Sequence, residues 1–193
     1  MLRPDYPLTS ERLVLRPFTH DDFDDLYAYN SLPEVARYLY WDARDRDQVR
    51  AALDKKVTQT ELTEEGQYLI LAVHWPAAGK VVGEVNLEWL SVEHRQGETG
   101  FVFHPDYQGK GLAREAAEVM LRLAFEDLGL HRVIGRCDPR NEPSWRLLER
   151  LGMRREAHFV QNEIFKGEFG DEYVYAMLGS EWKDRQASTT STS

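Results

Sequence analysis

The sequence predicts an α/β fold of the α+β kind: a mixed, mostly antiparallel sheet of about seven strands, with helices on both faces. Three observations carry this. Seven runs rich in β-branched and aromatic residues, at 11–16, 68–74, 80–90, 98–103, 132–137, 155–165 and 171–178, are separated by turn residues or by helical runs. The helical runs fall into separate groups, one between the first two strands and others after the fourth and fifth, so both faces of the sheet receive cover. The strand–glycine turn–helix stretch at 100–128, followed by a strand at 132–137, requires a parallel, right-handed crossover.

The elements follow in order. Residues 11–16 (Glu-Arg-Leu-Val-Leu-Arg) form the first strand, which Pro17 ends. Thr19 is placed to cap a helix through Asn30, whose first turn is acidic as the helix dipole favours. Pro33 restarts a short helix to Tyr38, and Val49, Ala52, Leu53 and Val57 give residues 48–61 a helical apolar face. Two strands then flank the Pro-Ala-Ala-Gly turn around Pro76, and Gly83 marks a bulge or a close approach within the second. Ala113, Ala117, Met120, Leu121, Ala124 and Leu128 line one face of a long helix that Gly129 stops. A strand at 132–137, a helix ended by Gly152 and a hairpin around Lys166-Gly167 complete the domain.

With 193 residues, 42% hydrophobic, the chain is long enough for one domain, placed at residues 1–185; the Ser/Thr tail at 186–193 has nothing to bury and is expected to be disordered. A net charge of −9 excludes a general nucleic-acid binder. The single cysteine, Cys137, excludes an internal disulfide, and no export segment or membrane-length apolar run is present, so a cytoplasmic protein is expected. The six histidines lack ligand spacing, and no metal is expected.

The stretch that organises the rest is Gly100 to Glu115. Its strand stops at Pro105, its turn carries Gly109 and Gly111, and its helix opens at Leu112 with Glu115 in the favourable first turn. Unpaired amides at a helix N-terminus suit an anion such as phosphate. The dinucleotide fingerprint fails because Arg114 stands where a third glycine is needed. The Walker loop fails because Gly111, not a hydroxyl residue, follows Gly-Lys.

What remains, Gln108-Gly109-Lys110-Gly111-Leu112-Ala113, resembles the Arg/Gln-x-x-Gly-x-Gly/Ala loop of the GNAT superfamily of N-acetyltransferases. A second block, Asn141-Glu142-Pro143-Ser144 through Leu151-Gly152-Met153, resembles that family's Asn-x-x-Ser helix ending in Leu-Gly-Phe. The opening Ser10-Glu11-Arg12-Leu13-Val14-Leu15-Arg16 strand with the Pro33-Glu34-Val35 helix is similar to the branch that acetylates ribosomal-protein amino termini. The resemblance spans about Leu8 to Trp182.

The resemblance implies acetyl-coenzyme A as co-substrate. Its pyrophosphate would sit on the amides of Gln108, Gly109, Lys110, Gly111, Leu112 and Ala113, with charge from Lys110 and Arg114. Asn141 would contact coenzyme A, and an amide among Phe101, Val102 and Phe103 would stabilise the oxyanion. Acetyl transfer to an amine also needs a base and a proton for the departing thiolate. The resemblance assigns the base to Glu163, whose apolar strand neighbours would raise its pKa, and places Ser144 beside the sulfur, as acid or as hydrogen-bond donor. The family's usual tyrosine acid is Leu148 here. Cys137 reads as a small hydrophobe in a strand, so direct attack in a ternary complex is expected.

The expected acceptor is a protein amino terminus. A small amine (polyamine, amino acid or aminoglycoside) and a non-catalytic acyl-coenzyme A-binding module stand as alternatives, and family members often form homodimers. No nucleic acid or membrane partner is expected.

Overall fold

The structure, a computed structural model, describes residues 1–190. Eight strands form one sheet: β1 (Leu8–Thr9), β2 (Val14–Arg16), β3 (Tyr68–Trp75), β4 (Lys80–Ser91), β5 (Gln96–Phe103), β6 (Arg132–Cys137), β7 (Arg154–Phe165) and β8 (Glu168–Leu178). Their spatial order is β1-β2-β3-β4-β5-β6-β8-β7. Every neighbouring pair is antiparallel except β5 and β6, which are joined by the expected crossover. The strand missed by the sequence reading is β1. Ser10 N–H closes a turn onto Leu13 O at 3.0 Å, so residues 11–13 leave the first strand and form its connection to β1.

Helices α1 (Phe23–Asn30), α2 (Pro33–Ala36) and α3 (Arg46–Lys56) lie between β2 and β3. Thr19 N–H and Oγ donate to Asp22 Oδ2, ordering a short 3-10 turn ahead of α1. α3 starts earlier than expected because Asp45 and Gln48 form a capping box, and it stops at Lys56 rather than 61. Leu26, Tyr29, Val49 and Leu53 of α1 and α3 bury against Ala72, Val81 and the Val102 side chain.

The opposite face holds the larger core. There α4 (Leu112–Arg122) continues through a π-helical turn over Leu123–Asp127, and α5 (Glu142–Arg150) follows β6. Gly83 meets the close approach its position suggested: a Cβ there would lie 2.5 Å from Val102 O and 2.7 Å from the Phe103 ring. The register shift sits beside it, opposite Val73/His74.

The chain is helical over α6 (Gly179–Thr190), where disorder was expected from Gln186. Trp182 explains the order. It is buried, stacks on Phe125 and donates Nε1–H to Glu126 at 2.8 Å, which anchors the first turns of α6 to the π-helical turn. Residues 191–193 lie outside the described residues. Among the described residues, no helix is long and apolar enough to cross a membrane.

Candidate active site

β5 and β6 pair only over Gln96↔Arg132, Gly97↔Val133 and Glu98↔Ile134; beyond Glu98 they carry no ladder and the sheet opens. Antiparallel pairing turns alternate residues toward and away from a neighbour. His104 N–H reaches Val82 O at 3.0 Å, which fixes that alternation on β5. Val102 and Gly100 therefore direct their main-chain groups to β4, while Phe101 and Phe103 direct theirs into the opening. Of the three residues proposed for an oxyanion amide, geometry favours Phe101 and Phe103 over Val102. The Phe103 carbonyl accepts from Gln108 Nε2 at 3.2 Å, tying the strand end to the glycine turn.

That turn has the conformation its glycines suggest. Gly109 and Gly111 have φ of 73° and 79°, where a side chain would be strained, and nothing lies within 4 Å of a Cβ built on Gly109. The first α-helical bond runs from Glu115 N–H to Gly111 O at 3.1 Å, so the amides of Leu112, Ala113 and Arg114 precede the ladder and face the turn. Open glycines with free helix-end amides fit a pyrophosphate.

The expected cationic help is spoken for. Lys110 Nζ folds back on Asp106 O at 2.5 Å and over the Tyr107 ring, and Arg114 pairs with Glu118 at 3.0 Å. A tie unseen in the sequence braces the turn instead. Arg12 donates to Lys110 O at 3.0 Å and to Glu115 Oε2 at 2.8 Å, while Glu115 Oε1 accepts from Arg12 N–H and Ser10 Oγ, each at 2.7 Å. Burial opposes ionisation of Glu115, but these bonds outweigh it and hold the carboxyl below its ordinary value.

Asn141 begins α5 through its main chain, accepting from Ser144 N–H at 3.0 Å, and its side chain makes no cap bond. Ser144, in the first turn of α5, stands near the Cys137 thiol at the end of β6. Burial, only partly offset by the Ser144 hydroxyl, pushes the thiol up to about 12, so Cys137 is a neutral thiol. Leu148 is buried beneath Gly135, whose Cβ would meet it at 2.7 Å, so this position faces the sheet.

Beside Cys137 the opening broadens into a cavity of about 140 Å3 bounded by β5, β6, the β7–β8 hairpin and the segment after α2. Five carboxylates line it (Glu98, Asp138, Glu163, Asp171 and Glu172), against one guanidinium, Arg136. Arg136 binds Glu98 through Nε at 2.9 Å and a terminal nitrogen at 2.8 Å, and lies 3.9 Å from Glu172. Glu163 faces the cavity and accepts from Tyr40 Oη at 2.5 Å. Burial and this carboxylate both raise the Tyr40 phenol pKa, so the phenol holds the proton.

The hairpin is tied across one side of the cavity to the segment after α2, where Tyr40 remains 73% exposed. Lys166 Nζ donates to Ala36 O at 2.9 Å, Trp41 O at 3.1 Å and Asp42 Oδ1 at 2.9 Å, and Tyr40 packs edge-on to Phe165. Lys166 and Gly167 both have positive φ, giving the tight turn that aims the lysine back at the helices.

Sequence reasoning did not single out Glu172. It is 8% exposed on β8, and burial, with Glu163 and Glu98 nearby, raises its pKa against the pull of Arg136. A bulge places Asn162 beside it: from Phe159↔Glu172 to Glu163↔Gly170, β7 advances further than β8. The signal was the Gln161-Asn162 pair inside an apolar strand.

The family model described as "Acetyltransferase (GNAT) domain" matches residues 12–154. An uncharacterized N-acetyltransferase, YnaD, of Bacillus subtilis (strain 168) is 33% identical over 175 residues, 91% of this chain and 98% of that protein. Spermidine N(1)-acetyltransferase of Escherichia coli (strain K12) is 24% identical over 162 residues, 83% of each chain. The crystal structure of a GNAT-family acetyltransferase from Bacillus anthracis superposes with a TM-score of 0.81 at 32% identity, covering 91% of this chain and 99% of that one. The opened β5–β6 pair, the glycine turn at the head of α4 and these matches agree: the chain is an acetyltransferase of the GNAT family.

Proposed function

We propose that the protein acetylates a small, cationic primary amine from acetyl-coenzyme A by direct attack in a ternary complex. The observation that carries the acceptor class is the strapped cavity. Lys166 closes the hairpin onto the α2–α3 segment, leaving about 140 Å3 lined by five carboxylates. A compact ammonium group fits a small acidic cavity bridged on one side. The sequence resemblance favours a protein amino terminus, and the small acidic cavity supports the small amine instead. The likeness to a spermidine acetyltransferase over 83% of the chain agrees with that choice.

Acetyl-coenzyme A supplies the activated acetyl group. The amides at Gly109–Ala113 and the Asn141 side chain bind and orient it, and the main chain of Phe101 and Phe103 lines its path between β5 and β6. Ser144, beside the opening, offers a hydroxyl toward the sulfur end. A cavity carboxylate removes the ammonium proton. The neutral, half-buried Cys137 supports transfer without an acetyl-cysteine.

Coenzyme A release from acetyl-coenzyme A, measured with diamines, polyamines, amino acids and aminoglycosides beside peptides beginning with Ala, Ser or Met, tests the reading. Release with small amines is the expected result. Release with peptides alone would return the acceptor to a protein amino terminus.

A further inference from the structure

We propose that Glu172 is the side chain that takes the proton from the acceptor ammonium, and that Glu163 with Tyr40 forms the gate through which the ammonium reaches it. The inference rests on the transfer reaction proposed above and departs from the sequence reading, which placed the base at Glu163.

Three glutamates face the cavity from different strands, and their partners separate them. Glu98 is neutralised by the two short bonds from Arg136. Glu163 is half-buried at the roof and engaged by the Tyr40 hydroxyl at 2.5 Å, in the same layer as the Lys166 strap. Glu172 alone is both buried, at 8% exposure, and without a short donor. Its polar neighbours are Asn162 Nδ2 at 3.4 Å and an Arg136 nitrogen at 3.9 Å. A buried carboxylate in that condition is costly, and a cation entering the cavity relieves it. Its place suits the chemistry too. Glu172 precedes Tyr173, which pairs with Cys137 at the end of β6, and both Glu172 and Cys137 line the cavity at the opening.

The charged and titratable groups facing Glu172 come from every wall: Glu98, Arg136, Cys137 with Asp138, Glu163, and Tyr40 of the roof. Burial, then the neighbouring Glu163 and Glu98 against the pull of Arg136, raise its proton affinity, the direction a base needs. The balance is simple. The ammonium gives one proton to Glu172 and becomes an amine, and the amine nitrogen forms the C–N bond as the C–S bond breaks. Nitrogen then loses its second proton. Of the two protons, one ends on the coenzyme A sulfur and one passes to solvent.

The test uses the full chain with the best amine from the panel. Glu172→Gln is expected to lower turnover by about a hundredfold or more. It should also abolish the rise of kcat/KM with pH, with acetyl-coenzyme A affinity, measured by calorimetry, unchanged within about twofold. Glu172→Asp should keep the rise, displaced in pH, at a reduced rate; it decides the matter if Glu172→Gln does not melt cooperatively. Glu163→Gln should raise the acceptor KM and keep the rise. Calorimetry of the amine alone should show binding weakened by Glu172→Gln, a readout independent of turnover. Glu172→Gln retaining the rise, Glu172→Asp indistinguishable from the parent, or Glu163→Gln abolishing the rise would each overturn the assignment. Failure of the parent protein to acetylate any small amine would overturn the transfer reading first and this assignment with it.

Discussion

Tyr40 Oη and Glu163 Oε1 lie 2.5 Å apart although 123 residues separate them in the chain. The contact joins the segment after α2 to the β7–β8 hairpin, and Lys166 adds three more bonds across the same seam. An incoming ammonium competes with the phenol for Glu163. Tyr40→Phe is therefore expected to lower the acceptor KM by about threefold, the worth of a solvent-screened bond, with acetyl-coenzyme A affinity unchanged. A raised KM in steady-state kinetics would reverse the gate's sign.

The glycine turn makes a graded prediction. Gly109→Ala meets open space and carries only the strain of φ 73°, about 1–2 kcal/mol. Gly111→Ala carries the strain of φ 79° at the residue that opens α4, with its Cβ in contact with the Arg12 guanidinium at 3.4 Å. Calorimetric affinity for coenzyme A should fall for both and further for Gly111→Ala, while the fold is kept by circular dichroism.

Glu115 ties the turn to the β1–β2 connection, and its depressed pKa sets a pH signature. A lowered folded-state pKa adds stability that is present above the unfolded value and is lost as pH falls through the folded one. Glu115→Gln should thus melt below the parent at neutral pH, by about 1–2 kcal/mol in stability, with the gap closing in acid. A gap that persists unchanged into acid would assign the effect to something other than charge.

Glu172 carries the opposite sign. Its raised folded-state pKa means stability is full below the unfolded value and falls as pH rises through the folded one. Glu172→Gln should melt at or above the parent temperature at neutral pH, and the advantage should vanish on acidification. Thermal melts across pH check this without any substrate.

Gly83→Ala should be among the most destabilising single-methyl changes in the sheet, about 2–3 kcal/mol, because the new Cβ would enter the Val102 carbonyl and the Phe103 ring. Denaturant titration measures it. Since Phe103 bounds the opening, coenzyme A affinity should fall with it.

Much of the architecture was legible in short stretches. The parallel crossover followed from a strand, two glycines and an amphipathic helix within residues 100–128, and positive φ at Gly109 and Gly111 is a local property of residues without a Cβ. Strand β1 was not legible, because two residues carry no periodicity and their pairing depends on the Ser10–Leu13 turn. The Gln186–Thr190 helix was not legible either: composition there favours a loose tail, and Trp182, within the first turns of α6, anchors the helix they extend.

The site divides the same way. The glycine turn at 108–113, the helix start at 141–144 and the strand carboxylate Glu163 were legible in the chain, since each depends on residues adjacent in sequence or on the alternation of one strand. Only the tertiary structure decided that Arg12 and Glu115 brace the turn, that Lys166 roofs the cavity, and that Glu172 rather than Glu163 is the buried, under-partnered acid. The physical reason is that burial and charge pairing belong to the space between strands and helices. Arg12 meets Glu115 across 103 residues and Lys166 meets Ala36 across 130, so neither tie can be read from local pattern.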